Sequence, residues 1–177
     1  MAQLRVPVGP SDHVQGPADA PVTLVEYGDY ECPHCGRAYP IVKALQKKFG
    51  NRLRFVFRNF PLREIHPHAE AAAEAAEFAA EHKKFWEMHD LIFENQGALS
   101  EHLLGELAQR LGLDANALRE SLRSGAFSEL VARDFSGGVR SGVNGTPTFF
   151  INGERHDGSF DFTALADALQ QAAATHK

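Results

Sequence analysis

Cysteine is scarce in this chain: it supplies two of 177 residues, and both stand in one four-residue run, Cys32-Pro33-His34-Cys35. Two thiols this close cannot staple a small secreted fold, because a bridge across two intervening residues closes almost no loop and barely constrains the unfolded chain. Basic charge is also short. Lys and Arg number 18 against 23 Asp and Glu, for a formal net charge of -5, which excludes a phosphate-backbone binder built on clustered positive charge. Nucleic acid is therefore not an expected partner. No apolar run is long enough to span a bilayer, and the stretch from Met1 to Pro10 lacks the continuous apolar core of a signal peptide. The expectation is a chain without membrane insertion, cytoplasmic as written, or periplasmic or otherwise extracytoplasmic if a leader has been removed.

What is present fits one globular domain, or one domain carrying a substantial insertion, with 44% hydrophobic and 23% charged residues. Residues 1–20, rich in Pro, Gly, Asp and Ala, read as an extended lead-in. Val22-Thr23-Leu24-Val25-Glu26-Tyr27, bounded by Pro21 and Gly28, reads as a buried strand with Glu26 as its anomaly. Ala38, Ile41, Val42, Leu45 and Phe49 recur at helical spacing after Pro33, a residue suited to a first helical turn, and Pro40 within the pattern predicts a kink. Leu53 to Phe60 reads as a second strand, which makes residues 21–66 a βαβ unit and implies a parallel pair.

Residues 67–142 carry helical patterns only. An Ala- and Glu-rich helix runs from His68 through Ala80 and continues to Phe85, Trp86, Ile92 and Phe93. Ser100 opens another helix, Asp114 caps a third, and Phe127, Leu130, Val131, Phe135 and Val139 mark a fourth, ended by Gly142 and Gly145. Residues 143–177 return to strand character at Thr148-Phe149-Phe150-Ile151, turn at Asn152-Gly153, resume near Glu154 to His156, and close with a helix from about Asp161.

The chemistry lies where the first strand meets its helix. A thiol reacts as thiolate, so a catalytic cysteine needs surroundings that favour the anion. Cys32 at a helix N-terminus meets the unpaired N–H groups and the positive end of the dipole. His34 adds positive charge when protonated, and Cys35 lies one turn on. Cys32 is thus read as the exposed nucleophile and Cys35 as the more buried resolving thiol. A half zinc site is the rival reading of the run, but no second cysteine pair exists, and four ligands would require His34 or the distant His66 and His68. No metal and no organic cofactor is expected, because the redox equivalents reside in the cysteine pair.

Cys32-Pro33-His34-Cys35 at a strand-to-helix junction, a helical insertion in a βαβ/ββα frame, and Gly145-Thr146-Pro147-Thr148 before the third strand resemble the DsbA-like thiol-disulfide oxidoreductases of the thioredoxin superfamily. The resemblance covers about residues 20–175. It implies an α/β thioredoxin-like fold with an inserted helical subdomain and a redox pair acting on cysteine-containing protein substrates and a redox partner; the oligomeric state is left open, with a monomer as the expectation. Asn59-Phe60-Pro61-Leu62 through His66-Pro67-His68 is similar to a soluble bacterial subgroup whose members occur alone or fused to membrane transporters. The resemblance further implies that Pro147 is cis beside the cysteines, that the Thr146 backbone pairs with an extended substrate segment, and that Glu26 is the family's buried acid, assisting proton transfer at Cys35. The family's lysine partner has no clear match, and Arg58 is the nearest basic candidate. A module that kept the fold only to bind a partner or sense redox state is the alternative from another class.

Overall fold

The computed structural model describes residues 2–175. A five-stranded sheet has the order β1-β3-β2-β4-β5, with β1 at His13–Gln15, β2 at Val22–Gly28, β3 at Leu53–Asn59, β4 at Thr148–Ile151 and β5 at Glu154–Arg155. Helix α1 (Pro33–Phe49) joins the neighbouring strands β2 and β3, and α7 (Phe162–Thr175) closes the chain. This is the thioredoxin-like α/β fold. Between β3 and β4 come α2 (Ala69–Glu81), α3 (Phe85–Glu94), α4 (Glu101–Arg110), α5 (Ala115–Ser124) and α6 (Ser128–Arg140).

The chain divides into two compact units. One gathers the N-terminal segment through Gly28, Arg37–Arg58 and the segment from Ser136 onward; the other comprises Asp29–Gly36 and Asn59–Phe135. In the first, β2 pairs antiparallel with β4 in the register Leu24↔Ile151 through Tyr27↔Thr148. Val22, Leu24, Tyr27, Phe55, Phe57 and Phe150 are buried to 2% exposure or less, and α7 packs on β2 and β4. The β4–β5 hairpin turns through Asn152 (φ 48°) and Gly153 (φ 88°), the left-handed pair that a two-residue turn requires and that the Asn-Gly dipeptide signals.

In the second unit the alanines of α2 do the packing. Ala69, Ala72, Ala75, Ala76 and Ala79 are fully buried, and their small side chains let α3, α4 and α5 approach closely. Met88, Ile92, Leu104, Leu107 and Leu118 fill the space between these helices, each contributing about 1.5–3 kcal/mol by burial. Ser100 caps α4 by accepting the Leu103 N–H, and Asp114 caps α5 by accepting from Asn116 and Ala117.

One expectation needs correction here. The helix expected to continue from His68 to Phe93 is two, α2 and α3, separated at His82–Lys84; Lys83 takes a left-handed φ of 60°, and the N–H groups of residues 82–84 return to the Ala79 and Ala80 carbonyls. Lysine there does the work usually given to glycine. Helix α1 continues through Pro40, which lies on an exposed face, where water can satisfy the Gly36 carbonyl left without a donor. The lead-in of residues 1–20 packs on the sheet: β1 pairs antiparallel with β3, and the Leu4 N–H reaches the Gly153 carbonyl at 2.8 Å.

One buried charge bears on stability. Glu74 is only 6% exposed, and burial first, then the negative charge of Glu70, pushes its carboxyl up to about 7. A carboxyl raised in the folded state binds a proton that the unfolded chain has already lost. Stability is then highest below about pH 4.5, its ordinary value, and falls as pH rises through about 7. Glu74→Gln, which keeps an acceptor for Ser128, is expected to stabilise the protein at pH 8 by roughly 1–3 kcal/mol and to have little effect at pH 4. Melting temperatures at the two pH values check this.

Candidate active site

Strand β2 ends at Gly28, a position where nothing larger fits: a Cβ there would lie 2.5 Å from Phe57 Cε2. The chain then forms a short loop, Asp29 to Cys32, before α1 begins at Pro33. Asp29 builds this loop. Its Oδ1 accepts the N–H of Glu31 at 2.7 Å and of Cys32 at 3.2 Å, and its carbonyl also accepts the Cys32 N–H at 3.1 Å. The Cys32 carbonyl accepts the Gly36 N–H at 3.0 Å, the opening hydrogen bond of α1. Cys32 therefore occupies the N-cap of the helix, where the first-turn N–H groups lack intrahelical acceptors and the dipole favours an anion.

The second sulfur is one turn further in. Cys35 is fully buried, and its Sγ accepts the Asp29 N–H at 3.4 Å. Cys32 was expected as the exposed member, but it is only 4% exposed. It is nearly as buried as Cys35, though not fully.

A residue far away in sequence holds this loop in place. Gln96 Nε2 donates to the Tyr30 carbonyl at 2.9 Å and to the Cys32 carbonyl at 2.8 Å, while its Oε1 would stand 2.2 Å from any Cβ at position 36. Glycine after Cys35 is what admits the Gln96 side chain. The Tyr30 hydroxyl lies 2.9 Å from His89 Nδ1 in the helical core, so the loop is tied to α3 by its Tyr30 side chain and to Gln96, just beyond α3, by its backbone.

Pro33 and His34 are exposed at the start of α1. His66 and His68 sit on carboxylates: His66 Nδ1 is 2.7 Å from Asp29 Oδ2, and His68 Nδ1 is 2.9 Å from Glu31 Oε2. Among the described residues no cluster of three or more His, Cys, Asp or Glu could hold a metal ion. Thr146 and Pro147 are half-buried, the bond between them is cis, and they belong with Glu26 to the sheet-containing unit, whereas Cys32, Pro33, His34 and Cys35 belong to the helical one. Glu26 is buried at 3% exposure on β2.

Arg58, the candidate partner of Glu26, is committed elsewhere. Its Nε and Nη2 hold Asp12 at 2.8 and 2.9 Å, and its Nη1 and Nη2 reach the Val6 and Pro7 carbonyls and the Tyr27 hydroxyl. Five N–H donors make five hydrogen bonds, which leaves none for Glu26. Asp29 and Gln96 were not singled out from sequence. An Asp at the start of a tight turn, whose side chain bonds the backbone two residues on, is the local signal that points to Asp29; no local pattern marks Gln96, since it meets Cys32 across 64 residues.

The thioredoxin family model ("Thioredoxin") matches residues 9–171. The chain belongs to the thioredoxin family. Among solved structures this thioredoxin-family chain is similar to BdbD from Bacillus subtilis, with a TM-score of 0.83 at 28% identity over 91% of this chain and 92% of that one. A thioredoxin-like oxidoreductase from Silicibacter pomeroyi gives a TM-score of 0.80 at 27% identity, covering 94% and 95%. Alpha-DsbA1 from Wolbachia pipientis, at 19% identity and a TM-score of 0.82 over 97% and 94%, shares the fold, which makes the architecture DsbA-like. The curated relative from Salinispora arenicola, named Na(+)/H(+) antiporter NhaA 1, is 50% identical over 96% of this chain and 26% of its own length. This chain thus spans about a quarter of that relative. Among the described residues no helix is long and apolar enough to cross a membrane.

Proposed function

We propose that the chain is a protein thiol-disulfide oxidoreductase that exchanges disulfides with cysteine-containing proteins through Cys32 and Cys35. The observation that carries this reading is the placing of Cys32 at the N-cap of α1, with the buried Cys35 one turn on and its sulfur on the Asp29 N–H. In the oxidising direction a substrate thiolate attacks Cys32 Sγ of the disulfide, the Cys35 sulfur departs, and a mixed disulfide forms. A second substrate thiolate then attacks the substrate sulfur and releases Cys32, so two electrons pass from substrate to enzyme. A redox partner of the same thiol-disulfide class reverses the change on the enzyme.

The other residues divide the remaining work. The helix terminus and a protonated His34 favour the Cys32 thiolate, which is the better leaving group in the second step. Pro33 starts the helix at the position where its missing N–H costs nothing. Glu26 is assigned the proton relay for the resolving cysteine, and Thr146 and Pro147 offer backbone to an extended substrate segment. No organic cofactor enters, because the cysteine pair stores the electrons.

Turnover tests this reading against a non-catalytic sensor. The protein is expected to accelerate dithiothreitol-dependent reduction of insulin, or the oxidation of a reduced cysteine-containing protein, in a multiple-turnover assay. A reactive Cys32 with no turnover in either assay would sink the enzymatic reading in favour of the sensor.

A further inference from the structure

Asp29 has no role in the exchange steps above, yet it is the most heavily engaged side chain of the loop. It is fully buried. Its Oδ1 accepts from the Glu31 and Cys32 amides, its Oδ2 accepts the Leu62 N–H at 2.9 Å and faces His66 Nδ1 at 2.7 Å, and its own N–H donates to the Cys35 sulfur. A carboxylate only accepts, so the His66 nitrogen facing it carries the proton. That fixes the imidazole tautomer and leaves Nε2, on a ring 17% exposed, to take up a second proton.

We propose that Asp29 and His66 act as a positioning pair that sets the redox potential of the Cys32–Cys35 couple, Asp29 opposing the thiolate and His66 offsetting Asp29. This inference rests on the oxidoreductase reading. Reduction of the disulfide takes up two electrons and two protons, or one proton where Cys32 stays as thiolate. Any charge that raises the energy of that thiolate favours the disulfide and makes the couple more reducing. The Asp29 carboxylate reaches the Cys32 amide directly, and the N–H that touches the Cys35 sulfur is on the same residue. Because it is buried, salt and water screen it weakly. Without a counter-charge it would work against the helix terminus that activates Cys32, and the His66 imidazolium, when Nε2 holds its second proton, supplies that counter-charge.

The second pair, Glu31 with His68, is more open, with side chains 19% and 40% exposed, and is screened accordingly. Both its members and His34 stay unchanged in the test. The Leu62 contact explains why the carboxylate is kept despite its charge: it joins the loop bearing Cys32 to the segment after β3.

The sign of the effect separates this role from a structural one. Asp29→Asn, His66→Gln and the double variant are compared with wild type by thiolate absorbance against pH and by equilibrium with glutathione buffers. Asp29→Asn is expected to lower the Cys32 titration midpoint and shift the equilibrium toward the dithiol about tenfold. His66→Gln is expected to move both in the opposite direction, and the double variant should fall between the two. Loosening of the loop alone would move both single variants the same way, and that result, or no movement in either, overturns the proposal. Should Asp29→Asn fail to fold, His66→Gln decides by itself, since a midpoint that stays or falls contradicts the proposed offset. A wild type with no reversible couple fails the oxidoreductase reading itself, an outcome distinct from any pattern among the variants.

Discussion

Cys32→Ser is expected to lose turnover at least about a thousandfold, while Cys35→Ser accumulates mixed disulfides with its substrates. The two cysteines differ in position and not in chemistry. Cys32 stands at the N-cap of α1 with a small exposed edge, whereas Cys35 has no exposed surface and its sulfur rests on the Asp29 N–H. An incoming sulfur can reach only the first. With serine at 35 the mixed disulfide at Cys32 has no neighbouring thiolate to resolve it, so it persists and is seen as a higher-mass band in non-reducing gels. Serine at 32 removes the accessible nucleophile and leaves a buried thiol that substrates do not reach. Trapping through Cys35 in the Cys32→Ser variant would reverse the assigned roles.

Asp12→Ala is expected to destabilise the fold by about 3–5 kcal/mol, since it strands the guanidinium of Arg58 without its counter-ion. Arg58 is only 3% exposed, and Asp12 holds it through two hydrogen bonds while the Val6 and Pro7 carbonyls and the Tyr27 hydroxyl take its other donors. This knot fastens the N-terminal segment to β3. Burial alone would raise the Asp12 carboxyl, but the hydrogen bond from Arg58, the Gly9 amide and the Arg58 charge overcome it and hold the group below its ordinary value. A depressed carboxyl contributes stability that is fully present above its unfolded value near 3.8 and is lost as pH falls through the lower folded value. Denaturant unfolding of Asp12→Ala against wild type should therefore show a large difference at pH 7 that narrows as pH falls below 3.8. A difference under about 1 kcal/mol at pH 7, the scale of a surface ion pair, would show that water satisfies Arg58 in place of Asp12.

Much of the fold was legible because its signals are local. A β-branched run between Pro21 and Gly28, helical spacing after Pro33, and Asn152-Gly153 between two apolar segments each name their element by nearest-neighbour physics. The same holds for Cys32 at a helix start, since Pro33 announces it. Features that depend on contacts distant in sequence were not visible. Nothing in the Ala- and Glu-rich segment forecasts that Lys83 would adopt a left-handed conformation and split it into α2 and α3. Three residues of β1 become a strand only because β3 offers them an edge. Arg58 read as a candidate for Glu26 because strand alternation says little about where a long guanidinium ends, and its partner Asp12 lies 46 residues away. Gln96 carries no motif at all, and only the folded chain shows it on the Cys32 carbonyl.

The central claim is that Cys32 and Cys35 form an exchangeable redox pair whose disulfide is weaker than a structural one. Equilibrating the protein with graded ratios of reduced and oxidised glutathione, and counting protein thiols at each ratio, tests it most directly. A single reversible two-electron transition with a potential above about -300 mV, the level below which structural disulfides lie, is the result expected. A lower potential, or no disulfide between the two cysteines at any ratio, would contradict it.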